Sequence, residues 1–243
     1  MRMVTFAKRC GKEILRDPIN LAFGLGFPLV LLLLLTAIQS NIPVSLFEID
    51  KLTPGITVFG LSFMTLFSAT LVAKDRESAL LQRLYTTPLT GLDFILGYML
   101  PLLPLSLGQV IICYLAAIPL GLTVSVNILY AILGILPMAV FNIALGLLCG
   151  SVLGVKQVGG ICGALLTNLT AWLSGVWFDL DLVGGVFRKV ANVLPYVHAV
   201  EVEKALFRGD FHATLVHIFP IAFYCVLTTA IAVFLFLHQM KRQ

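Results

Sequence analysis

A bundle of α-helices embedded in a lipid bilayer is the fold class this sequence predicts, on three observations. Hydrophobic residues fill 59% of its 243 positions and charged residues 12%, about half the share of roughly 25% usual for soluble domains. Mean hydropathy is +1.02, and a globule this apolar could not cover its own surface with polar groups. Six stretches are long enough to cross a bilayer, and none contains Lys, Arg, Asp or Glu.

A bilayer core about 30 Å thick takes roughly 20 residues of helix rising about 1.5 Å each. The six stretches are 19–39, 54–73, 94–119, 128–150, 158–178 and 213–237, together 136 residues, so all 28 charged side chains fall in the other 107. A charge at mid-membrane costs about 2.5–3.5 kcal/mol on insertion scales, which accounts for that segregation. The stretches are apolar all round and do not alternate with period two, which excludes a transmembrane barrel and favours helices. Pro28, Pro101, Pro104, Pro137 and Pro220 lie inside them and should kink them. Residues 1–243 read as one membrane domain.

Lys and Arg orient the spans. Stretches 1–18, 74–93, 151–157 and 238–243 carry 11 of them in 51 residues, whereas 40–53, 120–127 and 179–212 carry five in 56. The positive-inside rule then places both termini in the cytoplasm. The first span has too long a charged leader, and too long an apolar run, for a cleaved signal peptide, so it is expected to stay. The five cysteines form no CxxC pair, and they read as packing residues rather than a disulfide frame or a zinc site.

Residues 1–18 form an amphipathic pattern. Met3, Ala7, Cys10 and Ile14 share one face, and Lys8, Arg9, Lys12, Glu13 and Arg16 take the other. Such a helix lies in the membrane plane with its cations toward anionic headgroups, so membrane lipid is an expected partner. The loop after the second span runs from Lys74 to Pro88. Its charges gather at the start and Leu80, Leu81, Leu84 and Tyr85 make an apolar face, a pattern shared by a docking helix and by an ordinary loop helix. Pro88 disfavours helix at Thr87, and Thr90 with Asp93 forms a capping box that opens the third span.

The segment 179–212 is the one sizeable outward region. Gly184-Gly185 follow the exit of the fifth span, and two helices are expected on either side of Pro195. His198 and Glu201 sit three residues apart, but two ligands without a cysteine make a poor metal site, and none is assigned. Trp172, Trp177 and Phe178 suit an aromatic belt at the outer headgroups. Gly146, Gly150 and Gly154 at the end of the fourth span, with Gly159 and Gly163 opening the fifth, have the spacing of close helix contact. They are expected to pack these two spans together, or against a second subunit.

No catalytic constellation is present: HExxH, GxSxG and the GxxxxGK[ST] phosphate loop are all missing, so the chain is not expected to be an enzyme or to hydrolyse ATP through such a loop. Coupled carriers place Asp, Glu or a His chain within the membrane. Only His217 has that position here, so energy must come from elsewhere.

Several short patterns occur in order. Pro54-Gly55 opens the second span, Arg76-Glu77, Leu81, Arg83-Leu84 and Thr87-Pro88 follow it, and Leu173-Ser174-Gly175 and Pro195-Tyr196 come later. In these the sequence resembles, over essentially its whole length, the membrane subunits of type-2 ABC exporters, the ABC-2 permeases. Ala79, Leu80 and Gln82 depart from the Gly, Thr and acidic residue of that family's loop.

The resemblance implies six transmembrane helices with an interfacial helix at residues 1–17 and a coupling helix at 75–86 seated in a separate ATPase. Arg76, Glu77, Leu80, Leu81, Arg83, Leu84, Thr87 and Pro88 would carry the coupling. Short outward re-entrant helices in 179–212 would close the exit. No cofactor is expected in this chain, and ATP with Mg would be held by the partner subunit. A homodimer or heterodimer of permeases is expected, in the inner (plasma) membrane of a prokaryote and with no nucleic-acid partner. Spans two and five would line the path through Ser62, Thr65, Ser68, Thr167, Asn168 and Ser174. That mostly apolar lining suits an amphiphilic cargo such as a drug, an antimicrobial peptide or a lipid, with multidrug efflux favoured over glycan export. An ATP-independent channel or carrier, or a lipid-modifying enzyme, are the readings from other classes.

Overall fold

A computed structural model of the chain describes every residue except 1, 44, 45, 79, 86–88, 179 and 243. Among the described residues there are helices and connecting turns and no strand. Helix α1 (Arg2–Leu15) is followed by α2 (Pro18–Gln39), α3 (Ile49–Glu77), the short α4 (Leu80–Tyr85) and α5 (Gly91–Leu120). Then come α6 (Asn127–Val152), α7 (155–173), α8 (Leu180–Val183), α9 (Gly185–Val193), α10 (Pro195–Arg208) and α11 (Phe211–Arg242).

Five of these, α2, α3, α5, α6 and α11, are long and apolar enough to cross a membrane. The expected fifth span is less regular. Residues 155–173 run as an α-turn at Val155–Val158, a π-helical stretch at Gly159–Leu166 and a final α-segment at Thr167–Leu173. Gly159, Gly160 and Gly163 supply no side chains to hold α geometry there, and glycine is a poor helix former. Proline marks two further irregularities. A π stretch at Ala22–Gly26 precedes Pro28 in α2, and α6 breaks between Gly134 and Leu136, with Pro137 in the first turn of its second half.

Helix α3 is the axis of the molecule. Of its most apolar window 89% is buried, against 22% for α2 and 11% for α11. It is surrounded by α6, α5, α10, α2 and α7, and Ile56, Leu61 and Met64 are fully enclosed. The exposed apolar side chains of α2 and α11, such as Leu34, Phe219 and Phe234, face outward, as lipid-facing residues do.

The small residues of α6 serve this axis. A Cβ added at Gly150 would stand 2.5 Å from the Ala69 carbonyl oxygen and 2.9 Å from its Cα, and one at Gly146 would strike Ser68 and Thr65. The expectation that Gly146 and Gly150 pack the fourth span on the fifth, or on a second subunit, is therefore corrected: they let α6 close on α3. Gly163 also faces α3, with its Cβ position 3.4 Å from Leu66, while nothing lies within 4 Å of the Cβ positions of Gly159 and Gly160.

Candidate functional site

The loop motif after α3 is built into the end of the bundle that carries α1 and α4. No helix breaker interrupts 74–77, so α3 continues through Glu77 and turns at Ser78. The helix expected at 75–86 is thus two pieces: its first three residues belong to α3, and α4 begins at Leu80. Thr87, Pro88 and the departing Ala79 lie outside the described residues, as do the side chains of Arg83 and Leu84.

Arg76 and Glu77 turn sideways, onto the elbow between α6 and α7. The Arg76 guanidinium donates to the carbonyl of Ser151 and, at 2.6 Å, to that of Leu153. It thereby satisfies carbonyls left over at the C-terminal, negative end of α6. Glu77 Oε1 accepts the Val155 N–H at 2.8 Å, at the N-terminal, positive end of α7, and Gln157 closes the turn by accepting from the Gly154 N–H at 3.0 Å. Gly154 leaves the room, since a Cβ there would come within 3.2 Å of Glu77 Oε1. One dipeptide therefore holds the ends of two helices.

In α4, Leu81 is 4% exposed and packs into this chain's own core, while Leu80 is half-buried and Gln82 faces outward. Leu81 was expected on a docking face; here it anchors α4 to the bundle. The capping box at the start of α5 forms as expected, with the Thr90 N–H donating to Asp93 Oδ2 at 2.9 Å and the Asp93 N–H to Thr90 Oγ1 at 3.3 Å.

Asp75, one residue earlier, points inward and is 1% exposed. Arg9 of α1 grips it with both terminal guanidinium nitrogens, Nη2 to Oδ1 at 2.5 Å, and Tyr98 of α5 donates its hydroxyl at 2.8 Å. Arg9 also pairs with Glu13 at 2.6 Å. Burial opposes the Arg9 charge, but the bond and charge of Asp75 outweigh it and raise its proton affinity. Burial likewise raises the Glu13 carboxyl, with Asp75 adding to the shift. The amphipathic helix is thus clamped to α3 and α5 through a charge pair, and Phe6 stacks edge-on between Phe94 and Tyr98.

A basic amphipathic helix is thus locked to the central helix, with a polar elbow clamp beside it. The sequence model of the ABC-2 type transporters matches residues 2–207. This chain belongs to the ABC-2 type transporter family. Neither a curated protein nor a solved structure matches it significantly.

In this ABC-2 permease the hydroxyls expected along the path are turned inward. Thr65 Oγ1 donates toward Asn142, whose backbone carbonyl lies at 3.0 Å and whose Oδ1 lies at 3.1 Å, and Ser68 donates to the Ile143 carbonyl at 3.0 Å. Ser62 and Ser174 bond carbonyls of their own segments, at 2.6 and 3.3 Å. Ser62, Thr65, Ser68 and Ser174 are all buried, and Thr167, 6% exposed, bonds the Cys162 carbonyl at 3.1 Å. In this conformation Thr65 and Ser68 lie in a closed α3–α6 seam. Asn168 is exposed and bonds only the Ala164 carbonyl, at 2.8 Å, on the same open face as Gly160.

At the other end, helices α8 to α10 occupy the expected outward segment. His198 Nδ1 stands 2.9 Å from His217 Nδ1 of α11, and its Nε2 lies 2.8 Å from the Asn192 carbonyl. Glu201 pairs with Lys204 at 2.9 Å instead of sharing a ligand with His198, and no cluster of three metal-ligating side chains occurs among the described residues. Glu203 is fully buried. Its Oε2 meets the Thr57 hydroxyl and its Oε1 the Tyr114 hydroxyl, at 3.2 Å. Its i, i+4 relation to Ala199 and Phe207 on an amphipathic helix was the one available sign that it faces inward.

Proposed function

We propose that this chain is half of the membrane part of an ATP-driven exporter: two such permeases, identical or paired with a sibling, on two ATPase subunits that bind ATP and Mg. Residues 155–173 would make the sixth crossing. The ends of α1 and α11 would lie in the cytoplasm, and the whole in the inner membrane of a prokaryote. The chain itself would carry no cofactor and no catalytic activity.

The observation that carries this reading is the Arg76–Glu77 clamp. A push on α4 reaches the end of α3, and through the two clamped helix ends it reaches α6 and α7 together. The device therefore suits conversion of ATPase closure into movement of several spans. ATP must favour one arrangement of the pair, since a ligand indifferent to both shifts nothing. Among the described side chains of α4, the half-buried Leu80 and the exposed Gln82 are available for a partner's groove. Gly159 and Gly160, with open space beside them, together with the exposed Asn168, suit contact with the second permease.

An amphiphilic cargo suits the chemistry of a shallow cleft between α1, α2 and α3, whose volume of about 30 Å³ makes it a contact surface and not a container. Glu13, Asp17 and Lys74 line its rim and Phe67 and Leu71 its wall. Charges of both signs above an apolar wall fit the headgroup and tail of a drug, peptide or lipid better than a glycan chain. A second reading, a proton-coupled carrier, is favoured by one observation, the buried carboxyl of Glu203.

The test is purification of the full chain in mild detergent with its candidate ATPase, followed by reconstitution. An ATPase that co-purifies and whose hydrolysis rises with cargo supports the exporter. Leu80→Asp with Gln82→Asp should abolish both while leaving insertion intact. Solute movement driven by a pH gradient without nucleotide would establish the carrier instead.

A further inference from the structure

We propose that Glu203 is a proton-binding site that latches α10 onto α3 and α5, so that opening of this end of the molecule releases a proton. The site goes beyond the exporter reading and does not depend on an ATPase.

Its surroundings favour a neutral acid. The Thr57 hydroxyl has one proton and two oxygens in reach: the Pro54 carbonyl at 2.7 Å and Glu203 Oε2. That proton is shared between them, as helix hydroxyls share theirs with carbonyls a turn back, so Thr57 gives the carboxyl at most part of one hydrogen bond. The other oxygen accepts from the Tyr114 hydroxyl at 3.2 Å, so the fully buried carboxyl has two neutral hydroxyls against it. An isolated carboxylate buried without a countercharge protonates instead of paying the desolvation cost.

Among the described residues, no countercharge faces it. From α3 and α5 the carboxyl faces Thr57, Tyr114 and Cys113, none of them charged. On α10 itself, Lys204 is engaged with Glu201. His217 of α11 is engaged with His198, and no charged group of α6, α7, α9 or α11 acts on Glu203 among the described residues. Burial accordingly pushes its proton affinity well above the ordinary carboxylate range, the Thr57 and Tyr114 bonds opposing.

Helix α10 is bounded by joints suited to movement as a unit. Leu194 is extended before Pro195, and Gly209 ends the helix with φ +77°. Lifting α10 lets water reach the carboxyl, which then ionises in neutral solution. The seated state holds one proton more, so alkalinity favours opening. The ratio of seated to open should fall up to about tenfold per pH unit between the ordinary carboxyl value and that of the seated state.

The test uses the full-length chain alone in phosphatidylcholine nanodiscs. Infrared difference spectra should show a carboxylic-acid C=O band at neutral pH that Glu203→Gln removes. Amide-exchange protection of residues 196–208, corrected for chemical exchange, should fall with pH from about 6 to about 9, by up to about tenfold per unit. The slope should vanish in Glu203→Gln. Absence of the band, or an equal slope in the variant, overturns the proposal. If that variant does not fold, Tyr114→Phe removes a bond to the ionised form and must move loss of the band to higher pH; an unmoved midpoint overturns it equally.

Discussion

Asp75 and Arg76 are sequence neighbours that do different work because α3 points them in different directions. Asp75 is 1% exposed and depends on Arg9. Arg9 keeps 36% of its side chain exposed and has Glu13 as a second partner. Removing Arg9 therefore strands a buried carboxylate, whereas neutralising Asp75 leaves an arginine that can turn to water. Arg9→Ala should cost about 2–3 kcal/mol, discounted from the range for fully buried pairs, and Asp75→Asn clearly less. Melting temperatures of the two variants and of the double variant check this, and the double should recover part of the Arg9→Ala loss. The Arg-Glu dipeptide was legible as part of a motif, but its placement on the α6–α7 elbow was not. Its partners are backbone groups 75 to 78 residues away, and a carbonyl leaves no mark in a sequence. Deleting either cap should free the elbow. Arg76→Ala or Glu77→Ala should speed amide exchange at residues 151–158 by roughly fivefold or more, the loss expected for a cap worth about 1 kcal/mol. Unchanged exchange would remove the clamp.

Among the helices, five are long and apolar enough to cross a membrane, and each overlaps one of the six expected spans. The same signals did not rank them. Helix α3 and helix α11 are both apolar, yet one is enclosed and the other faces outward. Lipid and protein interior select the same side chains, so periodicity carries little contrast between them. Glycine spacing likewise announced a close contact without naming the partner. Two substitutions separate the glycines by role. Gly150→Leu would drive a side chain into the Ala69 backbone and should cost about 1–3 kcal/mol by overpacking, seen as a lowered melting temperature of the single chain. Gly160→Ala meets open space and should leave that temperature unchanged or raise it, since alanine favours helix. If the open glycine face meets a second permease, the same change should weaken dimers in cross-linking assays.

For the molecule as a whole, two polar tethers hold the bundle at opposite ends, Arg9–Asp75–Tyr98 at one and Thr57–Glu203–Tyr114 at the other. Both bind a peripheral helix to α3 and α5. Raising the pH should loosen only the second, because an acid held neutral by burial loses its seat when it ionises, and exchange measured on α1 and α10 in one sample checks that asymmetry. The membrane character, the five long apolar helices, the capping box before α5 and the interruption at Pro195 were all readable from the chain, since each depends on neighbours within a turn or on a bulk preference for lipid. Which charged residues are buried, which span is central and what the small residues touch depended on helices meeting across as many as 146 positions of sequence. Local pattern holds no record of such meetings, because the energy that selects them arises only when the helices are packed.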